Sequence, residues 1–182
     1  MPIMFTPLFL GVLAFCRIVI GLVFAISSFR KARDLAQFKR TITRFAILPE
    51  SWSSPLALAF VGAEFAVVVL VVLGGPFLLP GFLLAIFLLL LFCLALSSVL
   101  VRGIATSCNC FGPGEQQVSF SDIWRNGGLL LCALAGCMLF SPLAGLQGET
   151  SFPTWICAGS GAVAFVTVWL HLGEIVQLFR LD

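Results

Sequence analysis

Two cysteines separated by one residue are the part of this sequence best suited to chemistry. Cys108 and Cys110 stand in a polar segment rich in glycine and proline, residues 102–121, which we call the Cys loop. Neighbouring thiols in such a segment can close a small strained ring, and strained or exposed disulfides are the easily reduced kind. The pattern therefore predicts a pair that cycles between dithiol and disulfide.

Two other interpretations of this pair stay open. The first is an inert pair, because many cysteines behave as small apolar residues, although they do so in buried surroundings rather than in polar loops. The second is a soft metal site, since thiolates suit ions such as copper(I), and the protein would then be a small membrane transporter or accessory subunit. We predict no zinc site, because structural zinc takes four ligands and the only histidine, His171, is far from the pair in the sequence.

Basic residues flank the Cys loop on both sides. The thiolate is the reactive form of cysteine, and a neighbouring cation favours it. Arg102 and Arg125 bracket the loop and are candidates for this electrostatic role. The alternative is that each anchors a helix end at the membrane surface.

The other five cysteines lie in apolar stretches, where packing is the default interpretation; they are Cys16, Cys93, Cys132, Cys137 and Cys157. A carrier of two electrons needs a second station, and Cys16 and Cys93 are the candidates for it. A bound quinone or direct transfer to a partner protein are the alternatives. Cys132 and Cys137 are five residues apart, on different faces of one helix, so we expect no bond between them.

The composition determines what kind of molecule must position these thiols. The chain has 182 residues, of which 60% are hydrophobic and 10% charged, with a mean hydropathy of +1.14. Soluble domains are about 45–50% apolar and about 25% charged. This excludes a soluble enzyme and a disordered chain, and a formal charge of +2 excludes a nucleic-acid binder. We predict an all-α, polytopic transmembrane bundle in the lipid bilayer.

A membrane-spanning helix needs about 20 apolar residues, and one membrane domain with five spans accounts for the chain. The spans are predicted at about 7–29, 55–73, 81–101, 122–140 and 155–172. Between the first two lie six of the ten basic residues, so the positive-inside rule places that connection in the cytoplasm. Five spans then put the N-terminus outside, and the Cys loop and the C-terminus inside. Residues 31–47 show helical spacing of apolar residues, which predicts an amphipathic helix in the headgroup plane.

Two ionisable residues fall inside the predicted spans. A charge within the bilayer is costly, so such residues normally face the bundle interior and pair. Counted from the cytoplasmic span ends at about 1.5 Å per residue, Arg17 and Glu64 lie at depths of roughly 18 and 14 Å. We predict a buried ion pair between them, which either braces the two helices or polarises a quinone and steers protons released by thiol oxidation.

The sequence resembles the MauE branch of the MauE/DoxX membrane proteins. The resemblance is carried by residues 21–31, by Glu64, by the Cys-Asn-Cys-Phe-Gly element at 108–112 and by Trp-Arg-Asn at 124–126. It implies a bacterial multi-pass protein of the cytoplasmic membrane that acts with a thioredoxin-like partner in disulfide formation or thiol reduction. It also implies that Cys108 and Cys110 are the redox pair of a thiol-disulfide oxidoreductase, and that Asn109, Phe111 and Gly112 shape their loop.

Overall fold

The computed structural model describes residues 6–44, 53–102, 120–143 and 152–178. These residues form six α-helices and contain no strand: α1 Thr6–Arg33, α2 Leu35–Arg44, α3 Ser53–Leu73, α4 Leu78–Val101, α5 Phe120–Leu143 and α6 Phe152–Leu178. Five of them, all except α2, are long and apolar enough to cross a membrane. The chain is therefore a multi-pass membrane protein built as an all-α bundle, which confirms the predicted fold class.

Helix α1 is the centre of the bundle. It packs against α3, α5 and α6, while α4 packs against α3 and α5. The residues that are completely or almost completely buried come from all five long helices and include Val19, Val67, Phe82, Leu129 and Ala162. Large apolar side chains on the outside, such as Phe87 and Met138, are exposed, as expected for a surface that faces lipid rather than water.

The boundary between α1 and α2 differs from the prediction. Helix α1 continues to Arg33, so Lys31 belongs to it and not to the surface helix, and α2 begins at Leu35; residues 45–47 of the predicted helix lie outside the described residues. The Asp34 carboxylate accepts a hydrogen bond from the backbone N–H of Gln37 at 2.9 Å, which caps the start of α2. Helix α2 lies against α3, and part of its apolar face is therefore covered by protein.

A tight turn joins α3 to α4, and Arg17 of α1 holds it in place. Gly74 and Gly75 have φ angles of 67° and 53°, in the left-handed region that glycine adopts without penalty. The Arg17 guanidinium donates hydrogen bonds to the carbonyls of Val71 and Val72, both at 2.8 Å. These carbonyls belong to the last turn of α3, whose acceptors have no partner within their own helix. Arg17 therefore joins α1 to the C-terminus of α3.

The predicted ion pair between Arg17 and Glu64 is wrong. Glu64 is paired with Lys31, whereas Arg17 lies beside Val71, seven residues or about 10 Å further along α3. The prediction assumed that the two helices start level at the cytoplasmic side. In the structure the first turns of α3 lie beside α2 instead, which shifts the register between α1 and α3.

Replacing Gly74 by alanine tests this turn. A Cβ atom at Gly74 would lie 2.5 Å from an Arg17 guanidinium nitrogen, so the guanidinium must move from its carbonyls while the backbone keeps a strained φ. We expect a loss of about 1–3 kcal/mol in the free energy of unfolding, measured by denaturation in detergent. Gly75→Ala is the matched control, because its φ is also positive but nothing lies within 4 Å of its Cβ position. Equal losses in the two variants would contradict a role for Arg17.

Candidate functional site

A buried ion pair lies between α1 and α3. The Lys31 ammonium is hydrogen-bonded to the Glu64 carboxylate, and both side chains are only 5% exposed. The Ser27 hydroxyl, one helical turn before Lys31, donates a second hydrogen bond to the same carboxylate oxygen at 3.2 Å. Because burying a charge costs free energy unless it is paired and hydrogen-bonded, these contacts explain how Glu64 is accommodated inside a span.

Three aromatic rings surround the Lys31 ammonium. Its nitrogen lies 5.1 Å from the ring centroids of Phe38 and Phe60 and 5.0 Å from that of Phe92. A cation this close to the face of an aromatic ring is attracted by the ring's quadrupole. The rings belong to α2, α3 and α4, so one lysine links four helices at this end of the bundle.

A cleft opens beside the ion pair. It is lined by residues of α1, α3, α4 and α5, among them Ser27, Lys31, Glu64 and Asn126. Asn126 is 1% exposed, and neither its amide nitrogen nor its amide oxygen has a hydrogen-bond partner among the described residues; the same is true of the second Glu64 oxygen. Buried polar groups are normally hydrogen-bonded, so the cleft can accommodate water or a small polar group.

The two arginines beside the Cys loop have different surroundings. Arg125 is 7% exposed, and its guanidinium lies 3.7 Å from the Asp122 carboxylate on the same helix. Its carbonyl accepts a hydrogen bond from the Trp169 indole at 3.3 Å, which connects α5 to α6. Arg102 follows the last residue of α4 and is exposed. That either arginine favours a thiolate stays a prediction.

The predicted redox residues Cys108, Asn109, Cys110, Phe111 and Gly112 lie outside the described residues. The structure does describe where their segment is attached. It leaves α4 at Arg102 and enters α5 at Phe120, and these two helices pack together. Successive spans alternate in direction, so the attachment points are at the same end of the bundle as the end of α1 and the start of α3, where Lys31 and the cleft lie.

Two thiols meet in the interior of the bundle. Cys16 of α1, which is 3% exposed, and Cys132 of α5, which is half-buried, are neighbours across the packed contact between these two helices. Cys93 is elsewhere, because its neighbour Phe92 contacts Lys31, which is 15 residues or about 22 Å along α1 from Cys16. Of the two cysteines considered for a second redox station, only Cys16 is therefore placed beside another described thiol.

The sequence analysis identifies Glu64 but misses the other polar residues of the cleft. Lys31 was assigned to a surface helix, and Ser27 and Asn126 were considered only as parts of longer motifs. A signal was present, since Ser27 and Lys31 are four residues apart and therefore on one face of α1. Two polar residues on the face that also carries Val23 and Ile20, both buried, indicate an inward-facing polar site.

Comparison with known proteins identifies a family. No curated protein and no solved structure matches the chain. The family model described as methylamine utilisation protein MauE matches residues 10–139. The matched part includes Lys31, Glu64, Asn126, the Cys16 and Cys132 thiols and the whole Cys loop. The chain therefore belongs to the MauE family of membrane proteins.

Proposed function

We propose that this protein is a membrane thiol-disulfide oxidoreductase that exchanges electrons with a thioredoxin-like partner through Cys108 and Cys110. The observation that carries the proposal is the Cys-x-Cys pair within the region that matches the family. The pair lies in a segment attached to two packed helices, and such an attachment restricts where the thiols can be presented. Exchange of this kind supports disulfide formation or reduction in exported proteins.

The reaction is a transfer of two electrons between two cysteine pairs. A thiolate of the reduced partner attacks one sulfur of the Cys108–Cys110 disulfide, which gives a mixed disulfide and releases the other cysteine as a thiolate. The partner's second thiol then attacks the mixed disulfide. The partner leaves as a disulfide, and Cys108 and Cys110 are left as thiols with the two protons. The same steps in reverse reduce a partner disulfide.

We also propose a location and an orientation. The family resemblance supports the bacterial cytoplasmic membrane, and the distribution of charge supports an N-terminus outside and a C-terminus inside. Lys31 is buried and does not contribute to the surface charge. Arg33 at the C-terminal end of α1 and Arg40 on α2 are exposed. Because basic residues accumulate on the cytoplasmic side of membrane proteins, these two arginines support this orientation. In this orientation the Cys loop is on the cytoplasmic side, so the partner is either a cytoplasmic thioredoxin-like protein or one that reaches the loop through the bundle from the outer side.

Alkylation from each side of the membrane tests both the side and the redox activity. A membrane-impermeant thiol reagent is applied to intact cells and to inverted vesicles, with and without a reductant. We expect Cys108 and Cys110 to be labelled only in inverted vesicles and only after reduction. Cys157→Ser is the control, since Cys157 is exposed on α6 and its label must not be mistaken for that of the pair. Full labelling without reductant would contradict the proposal.

Replacement of single cysteines tests the exchange itself. With Cys110→Ser or Cys108→Ser, the remaining loop thiolate attacks the disulfide of an oxidised partner and releases one partner cysteine as a thiolate. Because the neighbouring loop thiol that would complete the reduction is missing, we expect a mixed disulfide with a thioredoxin-fold protein to accumulate and to disappear on reduction. The Cys108→Ser/Cys110→Ser protein should trap nothing. A copper ion that co-purifies with the unmodified protein and is lost from this double variant, without any trapped partner, would instead favour the metal-binding alternative.

A further inference from the structure

Three arginines lie along one face where α1 passes into α2. The backbone N–H of Asp34 donates to the carbonyl of Arg30 at 3.3 Å, and that of Phe38 donates to the carbonyl of Asp34 at 3.1 Å. Both bonds join residues four apart, as in an α-helix, so the helical register continues through the junction. Arg33 and Arg40 are three and ten residues after Arg30, spacings that keep the three on one face. We call Arg30, Arg33 and Arg40 the arginine stripe.

The positive charge of the arginine stripe is not neutralised by the described residues. None of its three guanidinium groups takes part in a salt bridge with them. The one acidic residue within positions 30–44 is Asp34, whose carboxylate accepts a hydrogen bond from the Gln37 N–H at the start of α2. One guanidinium nitrogen of Arg30 is buried and has no hydrogen-bond partner. A charged donor buried without an acceptor costs free energy, so an anion beside Arg30 would stabilise this end of α1.

Apolar side chains continue the same face toward the middle of the membrane. Ile26 and Phe29 each stand four residues before an arginine of the stripe, Arg30 and Arg33, and therefore on the same face. Phe29 is 63% exposed, and the centroid of its ring is 5.9 Å from the central guanidinium carbon of Arg33. Within one turn of α1 the exposed surface thus changes from apolar to cationic, as it does where the hydrocarbon of a bilayer meets the headgroups.

We propose that the arginine stripe binds the headgroup of an anionic phospholipid, with an acyl chain of that lipid lying along Ile26 and Phe29. A guanidinium group forms paired, charge-assisted hydrogen bonds with phosphate oxygens, and basic residues beside a membrane span attract anionic lipids. Free phosphate would satisfy the arginines but would leave the Phe29 ring uncovered, so the apolar part of the surface favours a lipid. Binding of this lipid does not require the redox activity proposed above.

Native mass spectrometry of lipid adducts tests the site. The purified protein in detergent is titrated with phosphatidylglycerol, which is anionic, and separately with phosphatidylcholine of the same acyl chains, which is zwitterionic. We expect tighter binding of phosphatidylglycerol, and we expect Arg30→Gln, Arg33→Gln and Arg40→Gln each to weaken it roughly fivefold. Lys39→Gln is the matched control, because Lys39 is a partly exposed cation on α2 that is nine residues from Arg30 and so on the opposite side of the helix. It should bind phosphatidylglycerol as the unmodified protein does.

Three further measurements make the result decisive. The helical circular dichroism signal in lipid-free detergent should be the same for all variants, because no arginine of the stripe is ion-paired with the described residues. Phe29→Ser should weaken binding of phosphatidylglycerol although it leaves the arginines in place. Inorganic phosphate at the same concentration as the lipid should not displace it, and displacement would indicate an ion site and overturn the inference. Equal binding of the two lipids, or equal losses from Arg33→Gln and Lys39→Gln, would overturn it as well.

Discussion

Replacing Lys31 by methionine is expected to lower the free energy of unfolding by about 3–5 kcal/mol, the usual cost of removing one partner of a buried ion pair. The variant leaves the Glu64 carboxylate buried beside Phe60 with only the Ser27 hydroxyl to stabilise it. Methionine fills a similar volume, so the loss reports the missing charge rather than a cavity. Unfolding in detergent, followed by the helical circular dichroism signal, measures it.

The double variant Lys31→Met/Glu64→Met separates the ion pair from general packing. Replacing a whole buried ion pair by apolar residues of similar size is often neutral or stabilising, so we expect the double variant to regain most of the stability lost by Lys31→Met. Lys39→Met is the matched control, because Lys39 is a partly exposed cation on α2, and we expect a change within about 0.5 kcal/mol. A double variant as unstable as the single one would contradict the pairing.

Replacing Gly136 by alanine is expected to destabilise the protein by about 1–3 kcal/mol through overpacking. A Cβ atom there would lie 2.5–2.9 Å from three carbon atoms of the Phe82 ring. Phe82 belongs to α4 and is completely buried. The ring cannot move aside without disturbing the core. Close approach of α4 and α5 thus depends on a small residue, as is common where membrane helices pack.

Gly127→Ala is the control for this substitution. It lies on the same helix, nothing is within 4 Å of its Cβ position, and alanine is favoured over glycine in a helix by about 0.5–1 kcal/mol. We expect Gly127→Ala to be neutral or stabilising in the same denaturation experiment. If both variants lose stability equally, the Phe82 ring does not govern position 136.

The architecture was predictable because lipid imposes a simple rule on sequence. A helix that crosses the bilayer must be apolar over most of its length, so hydropathy alone predicts α1 and α3 to α6. The register between helices has no such signature. Arg17 and Glu64 both follow the rule that charged residues inside the membrane find partners. Arg17 binds the Val71 carbonyl and Glu64 binds Lys31. Which partner each residue meets depends on the register between α1 and α3.

The same limit applies to the thiols. The spacing of Cys132 and Cys137 carries information about a single helix, whereas the proximity of Cys16 and Cys132 involves residues more than a hundred positions apart. Nothing in the local pattern distinguishes Cys16 from Cys93. Lys31 was misplaced for a related reason, since a run of basic residues indicates a surface, and the burial of one of them depends on aromatic rings supplied by three other helices.

The ion pair between Lys31 and Glu64 also has a consequence for how the protein is made. A lone acidic or basic residue near the centre of a helix raises the free energy of insertion by about 2.5–3.5 kcal/mol on translocon-based scales. Helix α1 is synthesised before α3, so a neutralising lysine is already in place when Glu64 enters the membrane. We expect α1 and α3 to leave the insertion machinery as a hairpin, and we expect α3 to need α1 for efficient integration into the membrane.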